Sequence, residues 1–437
     1  MNVLYVGLNW GLCLATAALL AVCFFRYRYL FIKPSFIVIL FFHLQIQWAG
    51  TIKSGEIFFY LPEPVSFALL LHGFPLIGLG VSFFIAHRDA RLILQRVVEA
   101  ESLRVNGNIL LILLAVIGAV TLLYFYTVPF SHTGLYSLFH NPQLSKFARE
   151  ESLKLVENPV VRYGFIFLRE AFVPILFTLS AFLAVFAVEK KRFMRAAGWG
   201  LLGMILLILV SVTGARSPAL FVILTALFAL YLRKGMKVRP VYIFLLVVLL
   251  VSIPTAISIV REGRSFAPDI FWAYLSKAIA NRIFFVPLNV SLYHVHFAQT
   301  GGFFGLAAVP KLAYLFNIEP INVANFIFSK YTHYGLESGL ANACYVFTYY
   351  SYFGLSSVVF SLMGLWMLDL AIPVFKRIKN NFILIAAVAA TFNSCLSFVR
   401  SDFTTALISG GFMIVLIVTF ILDRLDAKIS WPLRFAT

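Results

Sequence analysis

The chain has 437 residues, of which 61% are apolar and only 12% charged, a balance that excludes an ordinary soluble domain. Its 35 Lys and Arg against 18 Asp and Glu give a formal net charge of +17. In a soluble protein that excess would suggest nucleic acid; in a membrane protein it is sorted between two faces, and no nucleic-acid partner is expected.

Apolar stretches near the ~20 residues that cross a bilayer recur along the whole chain. In order they are 4–25, 30–49, 64–86, 108–128, 163–188, 196–213, 217–232, 240–260, 344–372, 381–399 and 403–422. They predict an all-α polytopic membrane protein with about eleven transmembrane helices, a single transmembrane domain over 1–437. The first span has no basic stretch before it, and Arg26 and Arg28 follow it, which suits a retained anchor better than a cleaved signal peptide. The shorter spans are compatible with tilting or half-insertion. Cys13, Cys23, Cys344 and Cys395 fall inside or at the edge of these spans with no C-x-x-C pair, and packing is their expected role.

The connections alternate in charge. Residues 26–33, 87–104, 189–195, 233–239, 376–379 and the tail after 422 hold 21 of the 35 Lys and Arg. The positive-inside rule places all of them on the cytoplasmic side, with the N-terminus outside and the C-terminus inside. These charges fix topology and touch anionic membrane lipid. Within them, residues 88–104 read as a surface helix with Leu92, Leu94, Val97, Val98 and Leu103 as its apolar residues.

Three connections on the outer side are long: 50–63, 129–162 and 261–343. In the second, a short helix is expected between Asn141-Pro142 and Asn158-Pro159. The third, at about 83 residues, exceeds a simple link between helices. Its semi-apolar run NRIFFVPLNVSLYHVHF (281–297) is suited to entering the membrane partway or lying on its surface. Its aromatics Phe303, Phe304, Tyr314, Tyr331 and Tyr334 suit packing, an interfacial belt or stacking on sugar faces.

Positive charge on the outer side works against topology, so each arginine there needs its own reason. Arg216 sits in the turn between spans six and seven, Arg261 and Arg264 leave span eight, Arg282 begins the semi-apolar run, and Arg400 occupies the last hairpin. Arg169 lies about six residues, roughly 9 Å, into span five. Arginines at one depth can form a cluster whose planar forks grip phosphate oxygens. Alternatively each snorkels at the interface or partners Glu262, Asp402 or Glu170. At the edge of the acyl region, a cluster suits a lipid-linked phosphate or pyrophosphate. His43 and His72, deep in spans two and three, suit a proton relay or packed polar partners.

Several motifs are absent from the sequence. There is no P-loop, no G-x-G-x-x-G after a strand, no H-E-x-x-H and no D-x-D; the one close histidine pair is H-x-H at 294–296. No nucleotide, cofactor or metal is therefore expected; Glu56 and Glu63, acids of an outer connection, are the remaining candidates for a cation.

The turn TGAR (213–216), the arginine-bearing large loop and the stretch ANACYVFTYYSYFGLSS (341–357), in this order and topology, resemble the O-antigen and oligosaccharide-repeat-unit polymerases (Wzy-type). That family is related to the O-antigen ligases, and the resemblance covers mainly residues 205–420. Where the ligases carry a histidine–asparagine pair before the aromatic helix, this chain has Ala341-Asn342, which favours a polymerase.

The resemblance implies a GT-C-like glycosyltransferase of the bacterial inner membrane with its active site facing the periplasm and short helices in its large loop. It implies work in lipopolysaccharide or related polysaccharide biosynthesis, on undecaprenyl-pyrophosphate-linked glycans, with a chain-length regulator as a possible partner. Arg216, Arg261, Arg264, Arg282 and Arg400 would then bind pyrophosphate. His333 and Glu337 are the leading candidates for the base on the acceptor hydroxyl, followed by His294, His296 and Glu262. A ligase, another polyprenyl-phosphate-sugar transferase, or a flippase for the same lipid-linked sugar are the alternatives.

Overall fold

A computed structural model describes residues 2–99, 105–142, 155–214, 216–237, 262–264, 267–331, 341–428 and 434–435, with isolated positions between them. Nine helices among the described residues are long and apolar enough to cross a membrane. The chain is a multi-pass, all-α membrane protein. The spanning helices are α1 (Asn2–Arg26), α2 (Pro34–Ile52), α4 (Pro64–Phe84), α6 (Gly107–Thr127), α8 (Pro159–Glu189), α9 (Phe193–Ser211), α13 (Tyr345–Arg377), α14 (Asn381–Phe398) and α15 (Phe403–Asp426). The shorter helices introduced below are α3 (Ser54–Tyr60), α5 (His87–Val98), α7 (Gly134–His140), α10 (Arg216–Arg233), α11 (Val286–Gly301) and α12 (Val323–Tyr331). Nine of the eleven expected spans coincide with these long helices, and the span expected at 217–232 is α10. The span expected at 240–260 lies almost wholly outside the described residues.

Helix α1 carries polar residues on its packed stripe and apolar ones outward. The buried residues of α1 are Tyr5, Asn9, Cys13, Thr16 and Leu20, spaced as one stripe, while Leu4, Leu8, Leu12 and Leu19 are exposed. Lipid supplies the apolar environment outside, so the packed side is free to carry hydrogen-bonding groups. By contrast α14 is buried along most of its length, with Ala386, Ala387, Ala389 and Ala390 letting neighbours approach closely. Cys13, Cys344 and Cys395 are buried free thiols, in keeping with a packing role.

The described chain divides into two compact units. One comprises Met1–Ala90, Ala280–Ile372 and Cys395–Ala406; the other Arg91–Ile279, Pro373–Ser394 and Leu407–Thr437. Within each, connections that the charge pattern assigns to the same side touch one another. In the first unit, buried Lys33 donates to the carbonyls of Ser82 and Ile85 and pairs with Asp369 at 3.2 Å. In the second, Arg96 donates to the carbonyls of Ile378 and Lys379, and Val105–Asn106 pairs as a two-residue antiparallel strand with Arg434–Phe435. All of these are connections of the basic side or the span ends that lead into them.

The opposite connections meet likewise. In the second unit the turn after α9 lies against the start of α7, where Leu135 N–H donates to Val212 O at 3.0 Å. Gly214 adopts φ +72°, and a Cβ there would lie 2.7 Å from the Gly134 carbonyl carbon. The glycine of TGAR is thus required by both backbone conformation and close approach. In the first unit α3 packs on α1 through Tyr5 and Phe58, ring centroids 5.2 Å apart.

Two details differ from the sequence expectation, and a third, the helix expected before Asn158-Pro159, falls mostly outside the described residues. In α5 the buried stripe is Ala90, Ile93 and Val97, whereas Leu92 and Val98 are exposed; spacing at i, i+3, i+7 sets the face, not the apolar count. Asn158-Pro159 opens α8, with the Asn158 side chain accepting from Val160 N–H and Pro at the first helical position; most of 143–154 lies outside the described residues. Lys33, grouped with the topological charges by sequence, is fully buried in an ion pair and does not reach lipid headgroups.

Candidate functional site

The residues expected to carry chemistry are distributed as follows. His333, Glu337, Tyr334 and Arg261 lie outside the described residues, and Arg216 is described only as the backbone start of α10. Arg264 is exposed in the second unit, its guanidinium 5.9 Å from the Tyr274 ring, whose hydroxyl donates to the Glu262 carboxylate. Arg169, also in that unit, pairs with Glu170 at 2.8 Å, so its charge at depth has a local partner.

Arg282 and Arg400 belong to the first unit. Arg282 is exposed in a π-helical turn, Tyr274–Phe285, that leads directly into α11. Arg400 is half-buried and its Nε donates to Gln45 Oε1 at 3.3 Å. Asp402, a possible partner for it, instead caps the start of α15 by accepting from Thr404 Oγ1 and Thr405 N–H.

The semi-apolar run 281–297 forms the end of that π turn and most of α11. His294 and His296 sit on α11 but face different surroundings. His294 is buried; its Nε2 donates to the carbonyl of Ala341 at 3.0 Å, and its Nδ1 lies 3.1 Å from Ser351 Oγ. A carbonyl only accepts, so Nε2 carries a proton. Burial pushes its pKa down to about 4. His294 ties α11 to the segment 341–344 that opens α13, and it is a structural residue with no free nitrogen for an acceptor hydroxyl.

His296 belongs to an aromatic cluster. Its ring stacks on Tyr60 of α3 (centroids 4.9 Å, 30° between planes), and its Nδ1 is 2.8 Å from the Tyr331 hydroxyl of α12. Tyr331 in turn stacks on Tyr293, centroids 5.0 Å apart and nearly parallel. Burial, with the Lys330 ammonium nearby, lowers the His296 pKa. Burial raises Tyr60 to about 12 and raises Tyr331 too, so both phenols stay protonated donors.

Beside this cluster α3 and α11 enclose a cleft of about 460 Å³, within the usual ~300–1,000 Å³ of small-ligand sites. Its walls include Lys53, Glu56, Tyr60, Asn289 and Tyr293, over apolar Ile57 and Leu292. Lys53 Nζ pairs with Glu56 Oε2 at 2.7 Å and lies 5.6 Å from the Phe285 ring centroid. The Asn289 amide and the Tyr60 and Tyr293 hydroxyls have no protein hydrogen-bond partner among the described residues. Glu56, considered from sequence as a cation ligand, is engaged by Lys53. Glu63 accepts from Ser66, while its backbone is clamped by Gln299.

Sequence reading reached His296 and Tyr331 but not Lys53, Tyr60, Asn289 or Tyr293. The signal was partial: Phe285, Asn289, Tyr293 and His296 recur at helical spacing in α11, but nothing local told that α3 would pack against that stripe.

A second polar assembly lies inside the spans of the same unit. The Trp48 indole donates to His43 Nε2 at 2.9 Å, and His43 Nδ1–H donates to Gln47 Oε1 at 2.6 Å. Gln47 Nε2 donates to His72 Nδ1 at 2.7 Å and to Thr16 Oγ1 at 3.2 Å. His72 Nε2–H donates to Asn9 Oδ1 at 2.7 Å, and Asn9 Nδ2 donates to the Tyr5 carbonyl at 2.7 Å. An indole only donates and a carbonyl only accepts, so the two ends fix every amide orientation and both histidine tautomers between them. The π-helical turns His43–Gln47 and Leu69–Gly73 carry both histidines and Gln47. The Gln47 amide separates the two histidines and the Asn9 amide follows His72, and an amide N–H does not hand on a proton readily. Of the two sequence readings, packed polar partners is the one observed.

Compared with known proteins, the chain matches no family model, no curated protein and no solved structure.

Proposed function

We propose that the protein is a bacterial inner-membrane glycosyltransferase, a polymerase that joins undecaprenyl-pyrophosphate-linked oligosaccharide repeat units at the periplasmic face. The observation that carries this reading is the aromatic-walled, polar cleft built by α3 and α11, both from connections that the charge pattern assigns to the outer side. A multi-pass membrane chain with a cleft of about 460 Å³ between connections that the charge pattern assigns to one side suits a substrate whose lipid stays in the bilayer and whose glycan stands in water. The resemblance of residues 205–420 to repeat-unit polymerases points the same way.

In this reading the acceptor hydroxyl attacks the anomeric carbon of the growing chain. The new C–O bond forms as the bond to pyrophosphate breaks, and the electron pair leaves on undecaprenyl pyrophosphate. Arg216, Arg261, Arg264, Arg282 and Arg400 are the proposed guanidinium set for that leaving group, which needs no metal if enough fixed cations surround it. His333 and Glu337 are the proposed takers of the hydroxyl proton.

A flippase of the same lipid-linked oligosaccharide is the second reading, favoured by one observation: buried histidines at membrane depth. Their partners argue against it, because each nitrogen is already used in a chain whose direction is fixed at both ends.

Purified protein supplied with an undecaprenyl-pyrophosphate repeat unit tests the proposal. A ladder of lengthening glycans is expected, lost in Arg216→Ala and nearly lost in Arg216→Lys and Arg282→Lys, since lysine lacks the planar fork. Chelator should leave the ladder intact. Full activity of both lysine variants would sink the pyrophosphate role, and a strict divalent-metal requirement would sink the metal-free mechanism.

A further inference from the structure

We propose that the cleft between α3 and α11 is a binding site for an uncharged, polyhydroxylated ligand, the sugar rings of a glycan, with Tyr60 and Tyr293 as its stacking surface. That the glycan is the lipid-linked repeat unit rests on the function proposed above; the chemical class rests on the cleft itself.

Charge selects the class first. Lys53 and Glu56 form a pair at 2.7 Å on the cleft wall, so their charges cancel and neither a phosphate nor a free cation finds a net attraction there. Hydrogen bonding selects next. The pair still offers ammonium hydrogens and carboxylate lone pairs, and the Asn289 amide and two phenols are unpartnered among the described residues. That mixture of donors and acceptors fits hydroxyl groups, each of which both gives and accepts a hydrogen bond. An alkyl chain in the same place would cover these groups without satisfying them.

Rigidity completes the argument. Tyr60 is backed by the stacked ring of His296 and Tyr293 by that of Tyr331, and His296 and Tyr331 are joined at 2.8 Å. Two cleft-lining rings are therefore braced from behind by two rings bonded to each other. Such a surface loses little conformational freedom when a flat sugar face docks on it. His296 does not line the cleft; it is a positioning residue acting through Tyr60, which revises its standing as a candidate base.

The test uses the full-length protein in detergent and two probes by titration calorimetry. One is the repeat-unit oligosaccharide released by mild acid from the cell's lipid-linked precursor, and the other is undecaprenyl phosphate. Tyr60→Ala should weaken oligosaccharide binding about tenfold or more, the size of one aromatic contact, while Tyr60→Phe keeps most of it. His296→Phe, which preserves the stack, should hold near wild type where His296→Ala does not. Undecaprenyl phosphate should bind all variants alike. Asn289→Ala gives a second readout should Tyr60→Ala fail to fold.

Oligosaccharide that fails to bind wild type, or binds Tyr60→Ala and Asn289→Ala unchanged, overturns the site. Loss of undecaprenyl phosphate alone would make the cleft a lipid-tail groove and overturn it too. Variant-sensitive oligosaccharide binding without a product ladder would refute the polymerase and leave the site standing. A ladder together with variant-insensitive binding would do the reverse.

Discussion

Two histidine-bearing regions of the first unit differ in one physical respect. In the intramembrane chain from Trp48 to Tyr5, the histidine nitrogens and amide groups along the path each have a partner, and the two ends dictate the direction of all the bonds. In the cleft between α3 and α11, an amide and two phenols have no protein partner among the described residues while the rings behind them are braced. A histidine at membrane depth is a natural functional suspect, yet the closed chain has nothing to offer a ligand. The region with groups to spare is the one the proposed function uses.

Breaking the chain should therefore cost stability, and opening the cleft should cost binding. The largest effect is expected for Gln47→Leu, which strands His43 Nδ1–H and His72 Nδ1 without partners. At ~1–3 kcal/mol for each buried group, the loss is roughly 2–6 kcal/mol, read as a lowered thermal midpoint in detergent. A midpoint within a degree of wild type would mean the chain is not a stabilising unit. Lys33→Met should cost about 3–5 kcal/mol by leaving Asp369 buried and unpaired, and Lys33→Met with Asp369→Leu should restore most of it. Equal destabilisation of the single and double variants would contradict this.

Acid sharpens the contrast further. His294 has its pKa held at about 4 when folded against ~6.5 unfolded, so the unfolded state takes up the proton first. Stability should be unaffected by this group above pH ~6.5 and fall progressively toward pH 4, where the penalty levels off. His294→Gln should flatten that slope in melts recorded across the range. A slope that persists undiminished would place the titrating group elsewhere.

The smallest stability effect belongs to the cleft. Tyr60→Ala, at a residue 41% exposed, should cost less than about 1 kcal/mol of stability. Circular dichroism melts would check it, and a collapse of the fold would remove the distinction between the two regions.

Much of the fold was legible because a span announces itself by length and apolarity alone, a local property of about 20 residues. The basic connections could be sorted by the same local counting, and contacts such as Arg96 with Ile378 agree with that sorting. Residue pairings were not legible. Lys33 and Asp369 stand 336 positions apart, and nothing near either one says that a charge otherwise suited to the membrane surface will be buried with a partner. Tyr60 and His296 present the same difficulty: each is one more aromatic at an interface rich in them until the packing of α3 on α11 brings them together. The interruption of α13 at Gly354 (φ +64°) was not read from the sequence, which gives 344–372 as one apolar span.

The measurement that bears most directly on the whole account is the initial rate of ladder formation against repeat-unit concentration for wild type, Tyr60→Ala and Gln47→Leu at equal amounts of folded protein. The account predicts that Tyr60→Ala needs about tenfold more repeat unit to reach an unchanged limiting rate, while folded Gln47→Leu follows the wild-type curve. A Tyr60→Ala curve superimposed on wild type, with activity lost from folded Gln47→Leu instead, would place the function in the buried chain and contradict it.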